Sequence, residues 1–394
     1  MQRAHYDYWL LCIVVMLVAF GVVMVYSASA VLAAERYGDA YFFLKKQLVF
    51  VALGGGVAMI VARIPYAYWR HAVYPLIGVS LGLALLAYVP GLRSVASGAA
   101  RWVRIGPFTF QPSELVKIAL IVFLAYSLEK KGERMRQFAV GVLPHLVVGG
   151  LMMAVVMGQR DFGSTFIMGS VLLFLLFAAR VRLTYLVALG LAALPLIYFA
   201  VARVAYRRAR ILAFLDPWSD RYGSGFQIIQ SLISFYHGGV WGRGLGEGQQ
   251  KLFYLPEAHT DFIAAVLAEE LGLVGLFLLT SLFVVLTVRG LRAAWRAPDG
   301  FGRYLALGIT ALIAWQAIAN LSVVMGLFPT KGMVLPFISY GGSALLATLF
   351  GMGILLNVSS YAVARDRAET NAVRAPVKNT KRPFALTTQA LCAS

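Results

Sequence analysis

Charge is scarce in this chain. Asp, Glu, Lys and Arg make up 13% of its 394 residues and hydrophobic residues 60%. Soluble domains carry roughly 25% charged residues, so a water-soluble globule is excluded. Cysteine is nearly absent. Cys12 lies inside the first apolar run and Cys392 near the end, so no disulfide framework exists, and no Cys/His cluster offers a structural zinc site. Acidic residues are few, 17 against 35 Lys and Arg, for a formal charge of +18. That excess does not read as nucleic-acid binding: the basic residues are spread over many loops, without a stripe interleaved with aromatics. No cleavable leader stands apart from the first apolar run, which has no small-residue cleavage site before a soluble domain.

The chain is instead a series of apolar windows near the ~20 residues that cross a bilayer as a helix. Ten are legible, at about 10–32, 47–63, 72–90, 113–128, 139–157, 163–179, 183–202, 263–288, 304–327 and 340–363. The expected fold class is therefore an all-α polytopic membrane protein with about ten transmembrane helices. A short N-terminal segment, 1–9, precedes one membrane domain over 10–363, and a basic tail, 364–394, is expected to be disordered. Ten spans put both termini on one side. With the termini in the cytoplasm, the short loops there hold Arg63, Arg70, Lys130, Lys131, Arg134, Arg136, Arg180, Arg182, Arg289, Arg292, Arg296 and Arg303, in accord with the positive-inside bias. The opposite side still keeps Arg101, Arg104, Arg203, Arg207, Arg208, Arg210, Arg221, Arg243 and Lys251. An outer site for an anionic ligand needs such residues; contact with lipid headgroups is the plainer alternative.

Two long connections fall on that outer side, a Gly/Ser/Arg-rich loop over 91–112 and a larger one over 203–262. Long loops are usually functional or disordered. Disorder fits the second poorly, since it holds Trp218, Tyr222, Phe226, Phe235, Tyr236, Trp241, Phe253 and Tyr254. Within it, Ile228-Ile-Gln-Ser-Leu-Ile-Ser-Phe235 reads as an amphipathic interfacial helix.

The most informative stretch is Lys251-Leu-Phe-Tyr-Leu-Pro-Glu-Ala-His-Thr-Asp-Phe-Ile263, which sets His259, Thr260 and Asp261 at the mouth of an apolar run. An ionisable group at a bilayer rim is costly and by default marks a functional site. The alternative is that these residues cap the helix, a role Thr and Asp favour. Asp161 is the other outer carboxylate near the boundary. Glu114 and Lys117, three residues apart, share one helix face; the plain reading is a local ion pair beneath a Ser113 cap. Pro329-Thr-Lys-Gly332 and Pro336-Phe-Ile-Ser-Tyr-Gly-Gly-Ser343 argue for irregular backbone, tolerated at membrane depth only against protein or a cavity, with a simple helix-leading turn as the alternative. Asp161-Phe-Gly163 spells a kinase tripeptide and Gly242-Arg-Gly-Leu-Gly-Glu-Gly248 a nucleotide loop. Neither has the strand context those motifs need, and the second reads as a tight turn.

In this order, the blocks resemble the SEDS family (shape, elongation, division and sporulation), the polytopic polymerases of peptidoglycan glycan strands. The resemblance runs from about Tyr26 to Tyr361. It rests on KLFYLPEAHTDF, Val25-Tyr-Ser-Ala-Ser29, Gln111-Pro-Ser-Glu-Leu-Val-Lys117, Asp161-Phe-Gly-Ser164, Gly242-Arg-Gly-Leu-Gly246 and the two blocks between Pro329 and Ser343.

The resemblance implies the SEDS fold in a bacterial plasma membrane and a reaction between two lipid-linked substrates. The acceptor is Lipid II; the donor is a glycan strand held on undecaprenyl pyrophosphate. The acceptor 4-hydroxyl attacks the donor's anomeric carbon with inversion, forming a β-1,4 bond. Pyrophosphate leaves readily, so one carboxylate as general base, with cations near the pyrophosphate, suffices. By resemblance Asp261 is that base and Glu114, Lys117 and Asp161 line a polar cavity. Arg101, Arg104, Arg243 and Lys331 join Lys117 as candidate cations, and His259, Thr260, Ser339 and Ser343 as candidate substrate contacts. No cofactor is obligatory; a divalent cation, Mg2+ or Mn2+, held by carboxylates is an added route. The implied partners are a class B penicillin-binding protein, other divisome proteins and membrane lipids. Gln250-Lys-Leu-Phe-Tyr-Leu-Pro-Glu-Ala-His and Leu327-Phe-Pro-Thr-Lys-Gly332 read like the family's division branch, placed at the septum, rather than its elongation branch. A Lipid II flippase and a scaffold for the transpeptidase are the alternatives; a transporter is expected to show paired repeats, and none is visible.

Overall fold

The structure is a computed structural model that describes residues 6–91, 93–96, 99–106, 108–252 and 254–374. Helices dominate it: α1 (Tyr8–Tyr37), α2 (Phe42–Arg63), α3 (Val73–Leu86), α4 (Pro112–Lys131), α5 (Leu143–Gly158), α6 (Phe162–Ala178), α7 (Leu183–Ala202), α8 (Ala205–Leu215), α9 (Phe226–Gly238), α10 (Ile263–Trp295), α11 (Gly300–Val324) and α12 (Gly342–Arg374). Among the described residues, six helical segments are long and apolar enough to cross a membrane: α1, α2, Phe138–Gly158, α10, α11 and Gly342–Tyr361. α3, α6 and Leu183–Pro195 of α7 are shorter apolar helices. The chain is a multi-pass helical membrane protein.

α4 lies at the centre of the bundle. Its residues from Val116 to Ala125 are buried throughout, Lys117 included. A helix that is apolar all round belongs inside, and α3, α5, α6, α11 and α12 pack around it. α12 runs to Arg374, past the Val363 boundary expected for the tail; residues 375–394 and Phe253 lie outside the described residues.

The 91–112 connection is more ordered than its composition implies. It folds into a three-stranded antiparallel sheet in the order β1 (Arg93–Ala96), β2 (Ala99–Ile105), β3 (Phe108–Phe110). Arg104 pairs with Thr109 and Val103 with Phe110. Arg101-Trp-Val-Arg104 carries a two-residue alternation, with Val103 buried and Arg104 exposed, but a pattern this short is hidden among Gly and Ser. The amphipathic helix expected near Ile228 is α9. It buries Ile228 and Ile229 against the bundle, and Ser231 Oγ donates to the Val324 carbonyl at 2.6 Å.

The expected span at 263–288 is broken. Gly272 interrupts α10 with φ 65° and ψ −164°, leaving a short arm, 263–271, and a long arm, 273–295. The short arm is buried from Ile263 to Glu270, whereas Leu273, Phe277 and Leu278 on the long arm are exposed. Groups freed by the break are taken up by the Gly239–Gly244 turn. Leu273 N donates to Gly239 O (3.0 Å), Arg243 N to Glu269 O (3.0 Å) and Gly244 N to Glu270 O (2.9 Å). A Cβ on Gly272 would lie 2.4 Å from Val240 O, and one on Gly242 2.2 Å from Glu270 O. The glycine run is thus a dock for a broken helix, which is what non-helical backbone in a membrane protein requires.

Candidate active site

Asp261 stands one residue ahead of the short arm of α10. It does not cap it: the N-cap is Phe262, with no side-chain capping bond. Thr260 Oγ1 donates instead to the Glu257 carboxylate at 2.9 Å. The structure thus removes the capping alternative for the His259-Thr260-Asp261 trio.

Three elements hold Asp261 in place. Asn320 of α11 donates through Nδ2 to the Asp261 carbonyl (2.8 Å) and to the Met333 carbonyl (2.6 Å). The backbone of the Pro329-Thr-Lys-Gly332 block runs against its carboxylate, where a Cβ on Gly332 would lie 3.0 Å from Asp261 Oδ2. On the other side, Tyr340 N donates to the His259 carbonyl at 3.0 Å, and the His259 ring packs between Phe43 (4.7 Å) and Tyr340 (5.8 Å). Burial pushes the His259 imidazole below its ordinary range, so it is neutral at pH 7.

Asp261 keeps partial exposure although protein surrounds it closely, which describes the floor of a recess. Burial pushes its carboxyl up to about 7; Glu257 nearby raises it further, and the guanidiniums of Arg210 and Arg101 pull it back. A carboxylate poised near neutrality suits a general base.

Cations gather on the same side. Arg210 of α8 donates to the Thr330 carbonyl at 2.8 Å, and Arg101 of β2 to the Arg160 carbonyl at 2.9 Å. Lys331 lies over the rings of Phe162 (4.1 Å) and Phe166 (4.6 Å). Burial lowers its ammonium to about 8, with Asp161 pulling upward and Arg207 downward. Arg207, over Phe162 at 5.4 Å, feels both Arg101 and Arg160. Arg101 and Lys331 were legible as candidates. Arg207 and Arg210 were not singled out from the basic residues of their loop, because nothing in the sequence says which face of α8 turns inward.

The remaining candidates are distributed differently. Asp161 caps α6, accepting from Ser164 N (3.1 Å), and its other oxygen accepts from Gln111 Nε2 and Ser113 Oγ, both at 3.0 Å. The Gln111-Pro-Ser and Asp161-Phe-Gly-Ser blocks are therefore joined through this carboxylate. Glu114 and Lys117 form a buried ion pair at 2.8 Å. Ser339 Oγ accepts from Leu335 N at 2.8 Å, and Ser343 Oγ is buried without a partner among the described residues. Arg104 points to solvent. Arg243 turns toward Glu269, at 3.9 Å, and not toward Asp261.

Sequence reading passed over Glu269 and Glu270, two consecutive carboxylates in the buried arm, both 0% exposed. Glu269 accepts from Gln249 N and Gln250 N, each at 3.0 Å. Glu270 accepts from Lys251 Nζ (2.6 Å) and Ser27 Oγ (2.6 Å). Thus Val25-Tyr-Ser-Ala-Ser29, the glycine run and Lys251 meet at one buried anchor behind Asp261. The available signal was their position, since intramembrane carboxylates are rare without a partner. Among the described residues no three carboxylate, imidazole or thiol groups come together as a metal-holding set, so no step is routed through the divalent cation left open by the sequence.

The fold and the recess together are those of a SEDS-type membrane protein. Comparison with known proteins gives the same result: residues 8–364 match the FtsW/RodA/SpoVE family model, described as cell cycle protein, and the chain belongs to that family. A Geobacter sulfurreducens protein named probable peptidoglycan glycosyltransferase FtsW is 51% identical over 356 residues, covering 90% of this chain and 95% of the relative. Stage V sporulation protein E of Bacillus subtilis is 42% identical over 360 residues, covering 91% and 98%. Among solved structures, a chain from a peptidoglycan synthase complex that couples polymerization and crosslinking superposes with a TM-score of 0.73 at 32% identity, covering 92% and 98%. Thermus thermophilus RodA superposes with a TM-score of 0.67 at 28% identity, covering 93% and 99%.

Proposed function

We propose that this protein is a peptidoglycan glycosyltransferase of the FtsW type, which polymerises glycan strands from Lipid II at the division septum. The observation that carries the reading is Asp261: a carboxylate free of capping duty, raised to about 7 by burial and flanked by guanidiniums. In the reaction, Asp261 takes the proton of the acceptor 4-hydroxyl as its oxygen bonds to the donor's anomeric carbon. The bond from that carbon to the pyrophosphate breaks, and undecaprenyl pyrophosphate leaves with the electron pair. Arg101, Arg207, Arg210 and Lys331 neutralise the charge left on the pyrophosphate, the largest electrostatic demand of the step. They sit on β2, α8 and the segment ahead of α12, three separate parts of the chain that converge beside Asp261.

The naming of the relatives and the division-branch wording at Gln250 and Leu327 favour the septal role over elongation. A class B penicillin-binding protein is the proposed partner, because the similar complex pairs polymerization with crosslinking and this chain is a membrane body. The test is strand synthesis from Lipid II by the purified chain, with and without that partner. Lipid-linked glycan oligomers that lengthen with time support the reading. A chain that moves Lipid II between leaflets but makes no oligomer with any partner overturns it.

A further inference from the structure

Away from Asp261 there is a second site-like feature. α4 spans about 30 Å at 1.5 Å per residue, and a cavity of about 620 Å3 opens at its far end, between α3, α4 and the α4–α5 connection. Ligand pockets span about 300–1,000 Å3, so the space suits a headgroup with the start of its chains. Tyr74, Phe123 and Tyr126 form an aromatic wall, and Lys130, Lys131 and Arg134 supply the charge.

The charge is uncompensated. Lys130 stacks over Tyr126 at 5.6 Å, and among the described residues none of the three cations makes an ion pair. The nearest carboxylate along α4, Glu129, is held by Arg70 at 2.8 Å, and Glu133 is exposed and does not line the space. Lys131 Nζ is closed off from water and, among the described residues, has no hydrogen-bond partner. The rest of the side chain is partly exposed along the cavity wall, and an anion entering the cavity supplies the acceptor that this ammonium lacks. The aromatic wall continues the apolar face on which Tyr74 is exposed, so the occupant is amphiphilic.

We propose that this cavity binds the phosphate headgroup of an anionic phospholipid, with Lys131 as the inner contact, Lys130 and Arg134 at the rim, and the acyl chains along Phe123 and Tyr126. The site lies on the membrane face opposite Asp261, cytoplasmic in the expected topology, where anionic lipid and basic residues attract. It is independent of the polymerase chemistry.

The test compares wild type with Lys131→Met and Arg134→Gln in nanodiscs of phosphatidylglycerol or of phosphatidylcholine, reading thermal unfolding, and counts retained lipid by native mass spectrometry. Wild type is expected to retain phosphatidylglycerol, with affinity falling about fivefold per cation removed. In phosphatidylcholine, whose choline cation offsets its phosphate, Lys131→Met is expected to melt no lower than wild type; in phosphatidylglycerol the order reverses. The same order in both lipids, or equal retention by all three proteins, overturns the proposal. Displacement of the lipid by inorganic phosphate as readily as by short-chain phosphatidylglycerol overturns the lipid assignment.

Discussion

Replacing Asp261 by Asn keeps the shape of the side chain and removes only its capacity to take a proton at neutral pH. Strand synthesis by Asp261→Asn is expected to fall about 10²–10⁴-fold, the cost of losing a positioned base, while membrane insertion and partner binding persist. The acid limb of wild-type activity follows from the same group. The carboxyl, raised from its ordinary value of 3.8 to about 7, must be ionised to act, so the rate climbs with pH through about 7. Lys331, lowered to about 8, loses its charge above that value, so the rate falls again. Glu257→Gln is expected to move the acid limb down, and Lys331→Arg the alkaline limb up. The raised carboxyl also has a stability signature. Its protonated form favours the fold below the unfolded value near 4, and that contribution is lost as pH rises through about 7. At pH 8, then, Asp261→Asn should melt higher than wild type although it is inactive. A lower melting point would mean that the charge is held by a structural pair.

Much of this was legible from residue types. A carboxylate at a membrane boundary is visible in sequence because ionisable groups there are few. Its immediate geometry was not, because Asn320 and Gly332 lie far along the chain from Asp261 and neither is unusual by composition. Lys117 shows the same limit. Spacing predicts the Glu114 contact, but not that both groups are buried. Lys117→Ala leaves Glu114 uncompensated, a loss of about 3–5 kcal/mol. The double change Lys117→Met with Glu114→Gln should recover most of that stability. If the double variant is stable and still slow, the pair serves the reaction; if it is stable and active, the pair is an internal brace.

Among the elements, α10 departs furthest from its sequence pattern. Hydropathy sees one continuous run because Gly272 is tolerated in membrane helices, and no local signal announces that φ turns positive there. The break is what lets a buried arm end at Asp261 while a second arm crosses the membrane. The glycines at 242 and 272 are therefore a matched pair. Gly272→Ala must adopt a left-handed conformation, costing about 1–3 kcal/mol, and must also clear Val240 O. The expected result is a lower melting temperature and weaker strand synthesis together, because the 239–252 segment and the Glu269–Glu270 anchor shift with the kink. Full activity would show that the kink can straighten without moving Asp261. The β-sheet of the 91–112 loop was likewise hidden, and it carries Arg101 to the recess from a segment that composition reads as filler.

For the whole molecule, topology decides whether these sites face their substrates. The basic residues at 130–136, 180–182 and 289–303 lie in short connections or in the helix ends beside them, where the positive-inside bias applies. The 203–262 segment is long and exempt. On this bias Asp261 is expected outside, on the side proposed for the lipid-linked substrates, and the Lys131 cavity inside. Six helices are long and apolar enough to cross among the described residues; the ten-span expectation further requires crossings by shorter or more polar helices such as α4, whose buried charges lower its hydropathy. Labelling separates the possibilities. Glu133 is exposed and Ser224 partly exposed, each in a connection between helices, and each can be made the sole cysteine in a background lacking Cys12 and Cys392. In intact cells an impermeant thiol reagent is expected to label Ser224→Cys and not Glu133→Cys, with the latter reacting once the membrane is opened. The reverse pattern would put Asp261 in the cytoplasm, beyond reach of an outer-leaflet strand, and no property of the recess would then rescue polymerisation.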